Sequence, residues 1–314
     1  RYTADNPPYG AVFSYYLPEA LQSLKEQRQE AEKKTAKEGG DTPYPSWDAL
    51  RREDREESPA IILTVRDEAG KVVQRIDGPS GKGFHRVAWN MRYPAPNPVN
   101  LKPKSSGAPW ESKPKGPMVL PGDYSVTLSQ RVEGEFKDVA GPQQLELKPL
   151  FSGGLVTENR AGLLEFQPKT AELYRAVMGT ARAADELDSR IDHMIKAVSD
   201  TPGSSEAHAT ALRGLKARMH DLKVGLNGDS TISSRAEPVP LGLSGRVATI
   251  AYGTWNSQSD VGGNFTDSYD VAAQQLPAVL AELKSIESDL AALESELEAE
   301  GAPWTPSRIP DWQP

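Results

Sequence analysis

Between Leu163 and Leu297 the apolar residues of this chain recur at steps of three and four. Leu163, Phe166, Thr170, Leu173, Val177, Thr180, Ala184, Leu187, Ile191, Met194 and Val198 hold the spacing for about five heptads. His208, Leu212, Leu215, Met219, Leu222 and Leu226 continue it after the turn TPGSS, up to Asn227 and Gly228. Leu243, Val247, Ile250 and Thr254 mark a shorter third run. Tyr269, Ala273, Leu276, Leu280, Leu283, Ile286, Leu290, Leu293 and Leu297 mark a long fourth, capped by Thr266 or Asp267. A helix with one apolar stripe must bury it against another element. Residues 151–300 are therefore expected to form an antiparallel four-helix bundle, with the long first and fourth helices packed along most of their lengths. Pro168 lies inside the first seam and predicts a kink or break near Leu164.

The first half of the chain has a period of two. A length of 314 residues is enough for two domains. In YGAVFSYYL, residues 9–17, alternation places Tyr9, Ala11, Phe13 and Tyr15 on one face and Val12 and Tyr16 on the other. Ile61, Leu63 and Val65 alternate inward, DEAG turns and KVVQRI returns. His85, Val87, Trp89, Met91 and Tyr93 share a face, as do Tyr124, Val126 and Leu128. VEGE turns into FKDVAG, and QQLELKPL reads as a last strand. Short strands punctuated by turns predict an Ig-like β-sandwich over residues 1–150. A helical insertion covers about residues 18–57: one helix with Leu17, Leu21 and Leu24 as its apolar face, ended by Gly39 and Gly40, then a short one capped by Ser46. Residues 94–122 contain eight prolines, too many for a central strand. This loop is either a tether across a neighbouring surface or a mobile excursion. Residues 301–314, with Trp304 and Trp312, read as a strap packed on the protein.

The chemistry is sparse. Net charge is -8, with bases and acids interleaved, which argues against nucleic acid. No cysteine is present, so disulfides, thiolate catalysis and Cys-ligated zinc are excluded. No apolar run reaches the roughly 18 residues of a membrane span. The four histidines, His85, His193, His208 and His220, lack metal-ligand spacing. Nucleophile-elbow, phosphate-loop and calcium-loop patterns are missing, and VGGN near Val261 lacks a strand–glycine–helix setting. No catalytic residue, metal or cofactor is expected from these patterns.

Several stretches taken in order carry a likeness. DNPPYGAVFSYYL, ESPAIILTVRDEAGKVVQRIDG, GFHRVAWNMRYPAP, PGDYSVTL, AAD, RIDH and GAPWTP…PDW resemble the C-terminal region of large bacterial proteins. Those proteins carry sortilin-like β-propellers of neuraminidase-type repeats and are often labelled glycosyl hydrolases. The middle strands are also similar to the Ig-like module of flagellar hook-capping proteins. The resemblance implies a propeller upstream of Arg1, an extracytoplasmic location, and any hydrolase pocket lying in the propeller. It favours a non-catalytic module that packs on that propeller or on another protein chain. The alternative is a part of a glycan- or peptide-processing hydrolase whose active site is mainly propeller. Arg1, Tyr2, Pro7, Pro8, Tyr9 and Trp110 are the candidate interface residues, and Tyr2, Tyr9, Phe13 and Tyr15 are expected to be mostly covered.

Overall fold

The computed structural model describes residues 9–101, 113–149, 159–257, 259–310 and 312. Over these residues the chain is mixed α and β, with seven helices, two small antiparallel sheets and about 49% helix. It divides into two units, one of Arg1–Pro94 with Met118–Ser152 and one of Ala95–Pro117 with Gly153–Pro314.

In the first unit, β1 (Ala11–Leu17) pairs with β4 (Gly83–Trp89), Ala11 opposite Trp89 and Leu17 opposite Gly83. The strands β2 (Ala60–Asp67), β3 (Val72–Gly78), β5 (Gly122–Val132) and β6 (Glu135–Leu147) form the second sheet in the order β3-β2-β5-β6. Alternation sends Tyr15, Leu17, Val87 and Trp89 from the pair, and Ile61, Leu63, Val65, Val73, Tyr124 and Val126 from the second sheet, into one apolar core. Trp89 is wholly buried, and its indole N–H is shared between the Gln74 Oε1 at 3.1 Å and the Arg92 carbonyl at 3.2 Å. Tyr124 meets it edge-on at 5.3 Å and donates its hydroxyl to the Leu120 carbonyl at 2.7 Å. The VEGE turn closes β5 to β6 through Glu133 (φ 51°) and Gly134 (φ 82°), the two left-handed residues of a tight hairpin. FKDVAG and QQLEL, read as parts of separate strands in sequence, belong to the single strand β6, which ends at Leu147. Its register slips opposite Val126–Leu128 and Leu128–Ser129, which absorbs the Gly141-Pro142 step without ending the strand.

The insertion folds as α1 (Leu24–Lys37) and α2 (Trp47–Arg55). The first begins later than the apolar pattern implied. Leu17 ends β1, and Leu21 donates its N–H to the Ser80 carbonyl. The reason is a capping box: Ser23 accepts from Glu26 N–H, and Glu26 accepts from Ser23 N–H at 2.8 Å. No residue of α1 is buried. Arg28 holds it to α2 by a bidentate pair with Glu53, at 2.6 and 2.8 Å. Ser46 caps α2 as expected.

The second unit contains α3 (Arg160–Asp200), α4 (Glu206–Asn227), α5 (Ser230–Ser233), α6 (Leu243–Thr254) and α7 (Gly263–Ala299). The seam residues of α3, α4, α6 and α7 share one core. Their arrangement departs from four rods. Lys216 reaches Asp188 and Asp192, and Lys223 reaches Asp185 and Asp188, so α4 runs antiparallel to α3. Burial opposes ionisation of Asp188, but the two ammonium groups outweigh it and hold the carboxyl below its ordinary range. Arg190 pairs with Glu294, 104 residues on, and Phe166 meets Tyr269 one residue closer in sequence separation, so α7 runs parallel to α3. Helix α6 continues where α4 stops: a Cβ on Gly242 would fall 2.5 Å from Gly228 N and 2.7 Å from Leu226 O. The up-and-down four-helix expectation is corrected to three rods, α3, α7 and a broken α4–α6 antiparallel to both.

Three smaller corrections follow from local chemistry. Helix α3 runs through Pro168 without a break. The carbonyl the proline leaves free belongs to Leu164, whose side is 54% exposed, so water can serve it while Leu163 and Thr170 stay buried. Helix α7 starts at Gly263, since Thr266 donates to the Gly263 carbonyl instead of capping. The C-terminal tail is held by Thr305, 4% exposed, and by Arg308 on Glu298, whereas Trp304 and Trp312 are 60% and 81% exposed. Within the Pro-rich loop, the Asn97 amide donates to the Tyr174 hydroxyl at 3.2 Å, which supports the tether reading for that segment.

Leu187→Asp or Leu283→Asp should each cost several kcal/mol by placing an unpaired charge in the helical core. Thermal denaturation should show it as a fall on the order of 10 °C, and unchanged melting would remove the shared core from this description. Burial pushes the Tyr124 phenol up to about 12. The folded phenol thus ionises later than the unfolded one near 10, and ionisation favours unfolding. Stability should hold to about pH 10 and fall between 10 and 12, by roughly 2–3 kcal/mol from this residue. Tyr124→Phe should flatten that fall in alkaline denaturant titrations.

Candidate partner interface

The strict alternation of AVFSYYL gives β1 two faces of different character. Tyr15 and Leu17 go to the core, and Val12, Ser14 and Tyr16 point away from it. Across the pair, Val12 stands opposite Ala88, Ser14 opposite Arg86 and Tyr16 opposite Phe84. The Tyr16 and Phe84 rings lie 4.9 Å apart with planes tilted by 49°. They are 52% and 84% exposed, and Val12 is 48% exposed. Together they form a small exposed apolar patch on the outer face of the pair.

One glycine shapes the entrance to this sheet. Gly10 has φ 119°, and a Cβ there would lie 1.9 Å from the Trp89 carbonyl, so only glycine lets the chain approach the end of β4. The turn at Gly10 also explains Tyr9. Alternation put Tyr9 on the face of Ala11, Phe13 and Tyr15, but the chain turns between them and leaves Tyr9 71% exposed. Phe13 is half-buried against the core, and Tyr15 is buried with its hydroxyl donated to the Pro79 carbonyl at 2.6 Å. Burial raises the Tyr15 phenol above its ordinary value. His85 is engaged locally, Nε2 2.7 Å from the Gly81 carbonyl and its ring 5.2 Å from Tyr15.

Of the candidate residues, Tyr9 is exposed as an interface residue requires. Arg1, Tyr2, Pro7, Pro8 and Trp110 lie outside the described residues. Phe84 was missed. Its signal was present in GFHRVAW, where the inward set His85, Val87, Trp89 leaves Phe84 outward by elimination. A second exposed aromatic pair, Tyr44 and Trp47 at 5.9 Å, flanks the cap of α2.

Other features carry less. A groove of about 780 Å³ along α1 is lined by Leu21, Gln22, Glu26, Glu30, Lys33 and Lys37 among others, mixing both signs of charge, and Glu26 is already committed to Ser23. Among the described residues no group of three or more His, Asp or Glu is placed to hold a metal ion, and no helix is long and apolar enough to cross a membrane. No family model, curated protein or solved structure matches this chain.

Proposed function

We propose that this chain is a non-catalytic protein-interaction module that docks through the outer face of β1–β4. The observation that carries the reading is the Tyr16–Phe84 pair, two large aromatics in mutual contact yet open to solvent, with Val12 beside them and Tyr9 at the strand's entrance. In this reading the first unit is an Ig-like sandwich with a helical insertion, and the second is a helical bundle. A buried Trp on one sheet, and a Tyr near the start of a strand bonded to a carbonyl four residues upstream, are features that Ig-like sandwiches use, and both support the assignment. The resemblance of the sequence supplies the partner class, a β-propeller in the same exported bacterial protein, and with it the extracytoplasmic location.

The test is binding of the chain to a separately expressed propeller. The double variant Tyr16→Ser, Phe84→Ser should weaken binding more than tenfold, the range of aromatic hot spots, with melting unchanged because both side chains are exposed. Deleting residues 1–8 should weaken binding likewise. A double variant that binds as well as the parent chain would refute docking through this face.

A further inference from the structure

Among the described residues, the edge that β1 presents differs from that of the longest edge strand, β6. Strand β6 is guarded: it carries Lys137, Asp138 and Pro142, and its register against β5 is irregular. Charges, proline and bulges are the devices by which edges resist pairing with another chain. Strand β1 has none of them. AVFSYYL contains no charge and no proline, and it pairs with β4 through seven consecutive positions without a slip. Among the described residues β4 is the one strand that pairs with β1, and none pairs with the other side of β1, which leaves a row of its backbone N–H and C=O groups without a strand partner there.

We propose that this edge pairs with the β1 edge of a second copy of the chain, antiparallel across a two-fold axis at Ser14. The pattern is self-complementary about that residue. Ala11 would face Leu17 of the second copy, Val12 would face Tyr16, and Phe13 would face Tyr15. Every apposed pair is uncharged, so the symmetric arrangement brings no like charges together, the usual obstacle to isologous contact. Inward residues meet inward residues, extending the apolar core across the axis. Outward, each Tyr16 would stand between Phe84 of its own chain and Val12 of the second copy. The pair becomes a four-stranded sheet, β4-β1-β1-β4. A seven-residue strand contact buries less than the roughly 1,200 Å² of a standard interface. The dimer is therefore weak and reversible, dissociating on dilution, and is sought at a chain concentration of about 100 µM. Pairing is through the backbone edge of β1, whereas the proposed docking is through the outward rings of Tyr16 and Phe84, so Phe84→Ser should weaken docking and leave the dimer intact.

The absence of cysteine makes the test clean. Directly opposed residues in an antiparallel pair have Cα atoms about 4.5–5.5 Å apart, inside the range a disulfide spans. Under mild oxidation at that concentration, Ser14→Cys should give a disulfide-linked dimer at least tenfold faster than Val139→Cys, an exposed site on β6. In sedimentation equilibrium the parent chain should dimerise, and Ser14→Asp, which puts two carboxylates at the axis, should be monomeric with an unchanged circular dichroism spectrum. A parent chain that stays monomeric, a dimer indifferent to Ser14→Asp, or cross-linking of Ser14→Cys no faster than of Val139→Cys would each overturn the proposal.

Discussion

The close approach of Gly228 and Gly242 governs the helical unit. Helices α3 and α7 have 41 and 37 residues, and their parallel alignment leaves an apolar seam that one antiparallel partner must cover. Helix α4 has 22 residues and α6 has 12, so neither covers the seam alone. Laid end to end they nearly do. That requires the chain to leave the rod after Asn227, make an excursion through α5, and return at Gly242 within van der Waals reach of its own exit. A side chain at Gly242 would strike the Leu226 carbonyl and the Gly228 nitrogen, both backbone atoms that cannot rotate aside. Ser244 closes the junction by donating to the Asn227 side chain at 3.0 Å.

With the rods in place, charge fixes their alignment. Glu294 is almost fully buried and is neutralised by a bidentate bond from Arg190. Sliding α7 by one turn would leave that carboxylate without its cation, and an unpaired buried charge is far costlier than a lost surface pair. Arg218 ties α4 to Glu282, Ser285 and Asp289 of α7 in the same way but in solvent, where such bonds contribute less. In the first unit the division of labour is different. Its core is apolar and centred on Trp89, while the attached helices α1 and α2 bury nothing and are joined to each other by Arg28 and Glu53.

What could be read from sequence was the periodic part. The four residues that marked α6 are the four it buries, because an amphipathic stripe reports burial directly. The seams of α4 and the inward set of β2 were legible for the same reason. The direction of the rods was not, since it depends on two glycines 14 positions apart meeting in space, and no local period encodes that. Likewise the start of α1 was decided by a capping box that outweighed an apolar pattern, and the exposure of Tyr9 by a left-handed glycine inside an apparently regular alternation. For the candidate interface, alternation already placed Tyr16 and Val12 outward. It could not show that Phe84 of a distant strand would stand against Tyr16, because the β1–β4 pairing spans the whole helical insertion.

The segment Ala95–Pro117 leaves the first unit between β4 and β5 yet belongs to the second, where Asn97 bonds to Tyr174. The two units are consequently joined by three covalent crossings, after Pro94, after Pro117 and after Ser152, instead of one linker. A single cut at any crossing leaves the two units covalently linked through the other two crossings, with the severed fragment held only by the core of its own unit. An excised helical unit beginning at Gly153 would lack a stretch of its own structure, and an excised β unit would need a new bridge from Pro94 to Met118. The units are separable as cores but not as genetic cassettes, so exchange or shuffling of either one must carry its interleaved segment with it.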